Sequence, residues 1–254
     1  MKNAALFLLA LSSAIVLTSC KNDLKNTDST TDLAVVDTLI TETVPDHLYV
    51  TAVSGLSLRE HNNLQSEKLA VMPLGTKVKI INTVKESTMN IGGISGAMDK
   101  VEFNNKVGFA FNGFLSKFFP PEPDVTAKSY AEDLKKEFPS VSYSEATGGT
   151  ASKPTNSEIL ILPTSRWHEA FFTAQQLFKI PKEFAFPNPK GSNQETQKSG
   201  TAKKTVLTSE LQISRNNNVL QKIEYNYRTK NFGYTVTITQ NGENMKLERK
   251  EIVE

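Results

Sequence analysis

Between residues 47 and 118, apolar residues alternate with polar ones in short runs, which is the period-two pattern of β-strands. The alternating positions are Leu48, Val50 and Ala52, then Leu56 and Leu58, then Val78 and Ile80, then Val101 and Phe103. Gly75 and the pair Asn104-Asn105 lie between runs, and both residue types tolerate the backbone conformations of tight turns. Short strands separated by frequent turns predict a small β-barrel or sandwich.

The pattern changes in the second half of the chain, where helical spacing appears. One helix is indicated by apolar residues on a single helical face, namely Trp167, Ala170, Phe171, Ala174, Leu177 and Phe178. Thr164 or Ser165 can cap its start, and Pro181 prevents its continuation. A shorter helix, stopped by Pro139, is indicated by residues four apart, namely Tyr130, Leu134 and Phe138.

Four runs of alternating residues follow, and they predict an antiparallel meander. Their apolar positions are Leu207, Leu211 and Ile213, then Val219, Ile223, Tyr225 and Tyr227, then Phe232, Tyr234, Val236 and Ile238, then Met245 and Leu247. A half-buried meander needs one covering layer, and the helix that starts at Trp167 has the apolar face to provide it. Two polar stretches, about 144–157 and 188–204, are predicted to be mobile loops. We therefore expect an α+β unit with one or two helices on an antiparallel meander.

The N-terminus has the layout of a secretory signal. Lys2 gives a positive start, the run from Leu6 to Leu17 is nearly all apolar or small, and Ser19 precedes the lone cysteine, Cys20. The alternatives are a membrane-spanning helix or a free thiol, but the run is shorter than the ~20 apolar residues that a spanning helix needs. Residues 21–45 are rich in Asn, Asp, Ser and Thr, a composition that does not support a packed core.

These patterns divide the chain into four segments. We expect a mainly β fold, with a signal peptide over 1–19, a flexible tether over 20–46, a small β-barrel over 47–119 and an α+β domain over 124–254. The segment Pro120-Pro121-Glu122-Pro123 between the last two is predicted to be a stiff, extended boundary.

Charge and cysteine content exclude several classes of chemistry. The 254 residues include 29 Lys and Arg against 27 Asp and Glu, and the charges are interspersed, so no nucleic-acid partner is expected. Past Cys20 the chain has no cysteine for a disulfide, a zinc site or a thiol nucleophile. His168-Glu169 is followed by Phe172 where a helical zinc peptidase needs its second histidine. The sequence predicts no enzyme of these kinds, no metal and no cofactor.

Four residues are candidates for ligand binding, namely Arg59, Phe109, Phe111 and Trp167. Arg59 suits an anionic ligand, although such an arginine more often bonds loop carbonyls or a carboxylate. Phe111 alternates with Phe109 and suits a groove wall or the core. Trp167 suits a binding hot spot but also fits the buried stripe of its helix. His168 and Arg166 fall off that stripe and are expected at the surface.

The segment Leu17-Thr18-Ser19-Cys20 resembles the lipobox of bacterial lipoproteins. The resemblance implies cleavage before Cys20, acyl chains attached at this cysteine, and a mature protein that starts with it. Lys21 follows the cysteine where an aspartate would retain an enterobacterial-type lipoprotein in the inner membrane. The resemblance therefore implies the outer membrane, with periplasmic and surface orientations both open.

Three segments in order resemble the bacterial SH3 (SH3b) family. They are Gly55-Leu56-Ser57-Leu58-Arg59-Glu60, Leu74-Gly75-Thr76-Lys77-Val78, and the stretch from Lys100 to Phe109 with the later pair Phe114-Leu115. The resemblance implies a small, curved β-barrel that binds peptidoglycan or peptides, or that acts as a spacer beside a catalytic domain. Met98 and Phe109 stand where the family often has tryptophan, which argues against a carbohydrate-stacking groove.

Together these features predict a non-catalytic, lipid-anchored envelope protein whose SH3-like module binds peptidoglycan, a peptide or a partner protein. One alternative is an accessory or inhibitory subunit that acts through residues 124–254. The other is a cell-wall hydrolase that uses carboxylates of this second unit, since such enzymes have no local sequence signature.

Overall fold

The structure is a computed structural model that describes residues 46–150, 153–201 and 203–253. The signal segment, Cys20 and all of the expected tether except Asp46 lie outside the described residues. The described residues belong to one compact unit. Strands dominate it and pair in antiparallel fashion, which confirms the predicted mainly β class.

Seven of the described strands form a first sheet, with order β3-β2-β8-β7-β4-β1-β9. They are β1 His47–Val50, β2 Leu56–Arg59, β3 Lys68–Met72, β4 Lys77–Asn82, β7 Met98–Phe103, β8 Lys106–Phe111 and β9 Leu115–Ser116. A separate hairpin pairs β5 Met89–Ile91 with β6 Ile94–Gly96. The β7–β8 turn is made by Asn104 and Asn105, both at positive φ, as the sequence predicts.

Seven further strands form a second sheet, with order β10-β11-β16-β15-β14-β13-β12. They are β10 Ser142–Thr150, β11 Lys153–Leu162, β12 Gln194–Lys198, β13 Val206–Asn216, β14 Val219–Thr229, β15 Phe232–Asn241 and β16 Asn244–Val253. The helices α1 Ala127–Lys135 and α2 Trp167–Leu177 cover its apolar face. The opposite face is polar, as the threonines Thr235, Thr237 and Thr239 of β15 illustrate, so this sheet is half-buried as expected.

The two stretches predicted as mobile loops contain strands instead. Residues 144–157 lie mostly in the β10–β11 hairpin, whose ladder runs without a register shift from Ser142 opposite Ile161 to Thr150 opposite Lys153. The stretch 188–204 contains β12, which pairs with β13 at the edge of the sheet. The side chains of both segments are largely exposed, which is why these strands can be built from polar residues. Backbone hydrogen bonds form these strands without an apolar face.

The start of α2 also differs from the prediction. The N-cap residue is Arg166, not Thr164 or Ser165, and it makes no side-chain capping bond within the described chain. Thr164 instead accepts a hydrogen bond from the Arg166 amide at 3.1 Å, and its hydroxyl donates to the buried Glu169 carboxylate at 2.6 Å. Helix α1 has an ordinary cap, in which the Thr126 hydroxyl accepts from the Ser129 amide.

Aromatic rings of residues 114–119, at the end of the first sheet, pack on helices α1 and α2 and on the segment that follows α1. Ring centroids are 4.9 Å apart for Phe118 and Phe138, 5.4 Å for Phe119 and Tyr130, and 6.5 Å for Phe114 and Phe172. We call these three pairs the aromatic seam. Buried residues of both sheets form one continuous core. The domain limits 47–119 and 124–254 stay predictions. Buried side chains from the two predicted domains pack against each other across the boundary between them.

Candidate functional site

An open apolar groove of about 460 Å³ lies between the first sheet and helix α2. Its floor contains the buried residues Leu56, Met98 and Phe111. Its three walls carry Leu64 from the loop after β2, Ile91 from the β5–β6 hairpin and Phe172 from α2. Concave sites of this size with mainly apolar linings are typical of ligand-binding pockets. Among the described residues, this groove is the candidate binding site.

Arg59 holds the first wall in place. Its Nη1 donates to the Ser66 carbonyl at 2.7 Å, and the Ser66 hydroxyl bonds the backbone of His61 and Asn63. These bonds close the loop on which Leu64 lies 37% exposed. Of the two roles that the sequence allows for Arg59, the structure shows the bond to a loop carbonyl. Arg59 also lines the groove, so its side chain borders whatever binds there.

Phe111 forms part of the floor and is only 2% exposed. Its ring meets Phe114 edge-on at a centroid distance of 5.6 Å. Two glycines allow this placement, because a Cβ on Gly96 would lie 2.8 Å from the ring and one on Gly113 would lie closer still. Phe111 therefore combines the two roles expected of it, since it packs in the core and borders the groove.

The hairpin wall rests on a buried polar network. Asp99, 2% exposed, accepts hydrogen bonds from the Val84 amide and the Asn112 side-chain amide, both at 2.9 Å. The Asn112 side-chain oxygen in turn accepts from the Ala97 amide at 2.9 Å. Burial raises the pKa of the Asp99 carboxyl, and its two donors oppose that rise. This network fixes the chain on both sides of the β5–β6 hairpin.

The other two candidates lie outside the groove. Phe109 is half-buried on β8, opposite Arg59 in the β2–β8 pairing. Trp167, the first residue of α2, is half-buried against the core. The structure thus brings Arg59 and Phe111 together at one site and leaves Phe109 and Trp167 apart from it.

His168 is not the surface residue that its position off the helical stripe predicts. Its ring meets Phe186 edge-on at 6.0 Å. Its Nε2 is buried and has no hydrogen-bond partner among the described residues. Burial, assisted by the Arg166 charge, lowers the pKa of His168 to about 4. The residue is therefore a neutral imidazole packed between α2 and the segment that follows it.

Two residues that shape the site, Phe172 and Arg215, are not among the candidates predicted from the sequence. Phe172 follows the buried Phe171 on α2 and becomes a wall of the groove only because the first sheet packs beside it. Arg215 has a buried guanidinium that donates to Asn188, Ser192 and Glu195. A signal for Arg215 exists in the sequence, since it continues the inward alternation of Leu211 and Ile213 along β13.

No family model, no curated protein and no solved structure matches this chain.

The carboxylates of the second sheet do not converge on a metal site. Glu158 lies between Glu145 and Arg249 across the strands. Burial raises the pKa of Glu158, Arg249 lowers it, and the nearby Glu251 and Glu145 charges raise it. The described residues contain no cluster of three or more His, Cys, Asp or Glu arranged to hold a metal. They also include no helix with the length and apolar character needed to span a bilayer.

Proposed function

We propose that this chain is a non-catalytic, lipid-anchored protein of the bacterial cell envelope that binds an extended peptide segment in the groove. The SH3-like sequence motifs support a binding module, and the lipobox-like segment at Cys20 supports the anchor. The observation that carries the proposal is the groove itself, which is open, apolar and bordered by Leu64, Ile91 and Phe172.

The lining favours a peptide with apolar side chains over a glycan. A sugar needs several hydrogen-bond partners or an exposed aromatic face on which to stack. The groove offers Ser54, Ser57 and Arg59 as polar side chains, and Arg59 already bonds Ser66. Its floor aromatic, Phe111, is almost fully covered. Aliphatic side chains of an extended segment would instead replace water along Leu56, Met98 and Phe172.

A Phe172→Ala variant tests the groove. Removing this ring deletes one wall, and we expect the affinity for short aliphatic peptides such as N-acetyl-Leu-Leu-amide to fall about tenfold. The measurement is an NMR titration of the full chain, followed at residues that line the groove. Leu177→Ala is the control, because Leu177 is also half-buried on α2 but lies outside the groove. Equal affinity in the two variants would place the peptide elsewhere, and retention on purified peptidoglycan alone would favour the glycan.

A Cys20→Ala variant tests the anchor. We expect it to move from the membrane fraction to the soluble envelope fraction and to lose incorporation of labelled fatty acid, because stable anchoring needs acyl chains at this residue. The measurement is fractionation of cells that express the full chain, with Ser19→Ala as the neighbouring control. A Cys20→Ala protein that stayed with the membrane would show that another segment attaches it.

A further inference from the structure

The turn of the β5–β6 hairpin touches a loop of the second sheet. Gly93 approaches this loop so closely that a Cβ on it would lie 3.1 Å from Asn188 Cα and 3.2 Å from Pro189 Cδ. Gly92, its neighbour in the same turn, has no described atom within 4 Å of the corresponding position. The hairpin therefore rests against residues 188 and 189 through Gly93.

A buried arginine fixes that loop from behind. Arg215 Nε and Nη2 donate to the Asn188 carbonyl at 3.0 and 2.7 Å, and Nη1 donates to the Ser192 carbonyl at 2.9 Å. Nη2 also donates to Glu195 Oε2 at 2.8 Å, and the Arg215 side chain is 0% exposed. Charge-assisted bonds of this kind are short, directional and costly to distort. We call Arg215 with its partners Asn188, Ser192 and Glu195 the Arg215 clamp.

A displacement at Gly93 passes directly to the groove. Ile91 and Ile94 are the pair next to the turn of the hairpin, so a shift of the turn moves Ile91, which lines the groove. Ile94 is 2% exposed and packs near Gly113 under the floor. The hairpin is thus held between the buried floor on one side and the clamped loop on the other.

We propose that the second sheet fixes the position of the hairpin wall, so that residues which never touch the ligand set its affinity. The Arg215 clamp holds Asn188 and Pro189, these support Gly93, and Gly93 places Ile91. This inference rests on the proposed binding at the groove. It assigns a role to residues 124–254, which is to complete and adjust a peptide site on the first sheet.

The test compares Gly93→Ala with Gly92→Ala in the full chain. Both glycines have positive φ, so both variants carry backbone strain, but only the methyl group at 93 meets Asn188 and Pro189. We expect Gly93→Ala to shift the Ile91 methyl resonance and to weaken binding of N-acetyl-Leu-Leu-amide about fivefold. Gly92→Ala should leave the affinity within about twofold of the unaltered chain.

A second pair of variants, with milder changes, tests the inference in case Gly93→Ala does not fold. Glu195→Gln removes the negative charge that pairs with Arg215 in the clamp, and Glu248→Gln removes a carboxylate that pairs with Lys246 on the polar face of the same sheet. We expect Glu195→Gln, but not Glu248→Gln, to move the Ile91 methyl signal. An unmoved Ile91 signal and unchanged affinity in both Gly93→Ala and Glu195→Gln would overturn the inference. Failure of the unaltered chain to bind any peptide would instead refute the proposed function, and the Ile91 shift would still test the inference.

Discussion

Replacing Arg215 by methionine is expected to lower the free energy of unfolding by about 3 kcal/mol. Methionine fills most of the volume, so the loss comes from hydrogen bonds. The Asn188 and Ser192 carbonyls lose their charged donor, and hydrogen bonds to charged groups contribute about 1.5–3 kcal/mol each. Both residues are exposed, so water can replace part of that loss. Glu195 loses its partner too, but its side chain is 36% exposed. Water can solvate that carboxylate, which keeps the total below the cost of stranding a fully buried charge.

Chemical denaturation measures this loss, and Lys222→Met is the matched control. Lys222 pairs with Glu224 at 3.0 Å on the polar face of the same sheet, where both side chains reach water. Exposed pairs of this kind contribute about 0–1 kcal/mol, so the control should change stability little. A similar cost for the two variants would mean that the Arg215 clamp does not stabilise the native loop.

Acid should destabilise this protein through His168, and His168→Phe should remove that part of the effect. The folded chain keeps the imidazole neutral down to a pKa of about 4, whereas the ordinary value is 6.5. Between these values the unfolded chain takes up a proton that the folded chain does not, so stability falls as the pH falls through this range. The difference between the two pKa values corresponds to a loss of about 3 kcal/mol in the free energy of unfolding once the pH is below both.

The measurement is the free energy of unfolding at pH 7 and pH 4.5 for the unaltered chain and the variant. The carboxylates titrate in both proteins, so their contribution cancels when the change in unfolding free energy of the variant is subtracted from that of the unaltered chain. The remaining difference, which is due to His168, should be about 2.5 kcal/mol at pH 4.5. His168→Gln guards against a packing effect of the larger ring, because glutamine is also unable to take the proton. If all three proteins lose stability in parallel, the buried imidazole is not the source.

Period-two patterns predicted most of the sheet structure because burial on one face dictates them. Val50, Leu58, Val78 and Val101 are all 0% exposed in the first sheet. The last four strands form the expected meander, and the turn at Asn217 and Asn218 has the positive φ that asparagine tolerates. Helix α2 was equally readable, since a helix that packs on a sheet must carry an apolar stripe.

Edge strands and the start of α2 were less predictable for physical reasons. β10 and β12 are held by backbone hydrogen bonds to β11 and β13 and expose polar side chains. Their sequences therefore lack the alternation of apolar and polar residues from which a strand is predicted. Thr164 has the chemistry of a helix cap, but its hydroxyl donates a hydrogen bond to the buried Glu169 carboxylate and accepts one from the amide of Arg166, which is the N-cap residue. Such a choice depends on three-dimensional neighbours rather than on local sequence.

The groove was only half predictable. Arg59 and Phe111 were both candidates within residues 47–119, and the structure places both at the site. Phe172 comes from α2, far along the chain, and its role depends on how the first sheet packs on the helices. His168 illustrates the same limit, because its burial comes from Phe186 on the following segment and not from its own helical face.

The aromatic seam has a consequence for the modularity of this protein. If the first sheet and residues up to 119 were transplanted alone into another chain, Phe114, Phe118 and Phe119 would lose the rings of Phe172, Phe138 and Tyr130. Phe114 would keep its contact with Phe111, and Phe119 its contact with Tyr49, but the side of each ring that the second unit covers would face solvent. Contiguous apolar patches of this kind promote association between copies. A recipient chain would therefore need to supply a replacement surface for these three rings, and the natural unit of exchange for this sheet includes the helices that cover it.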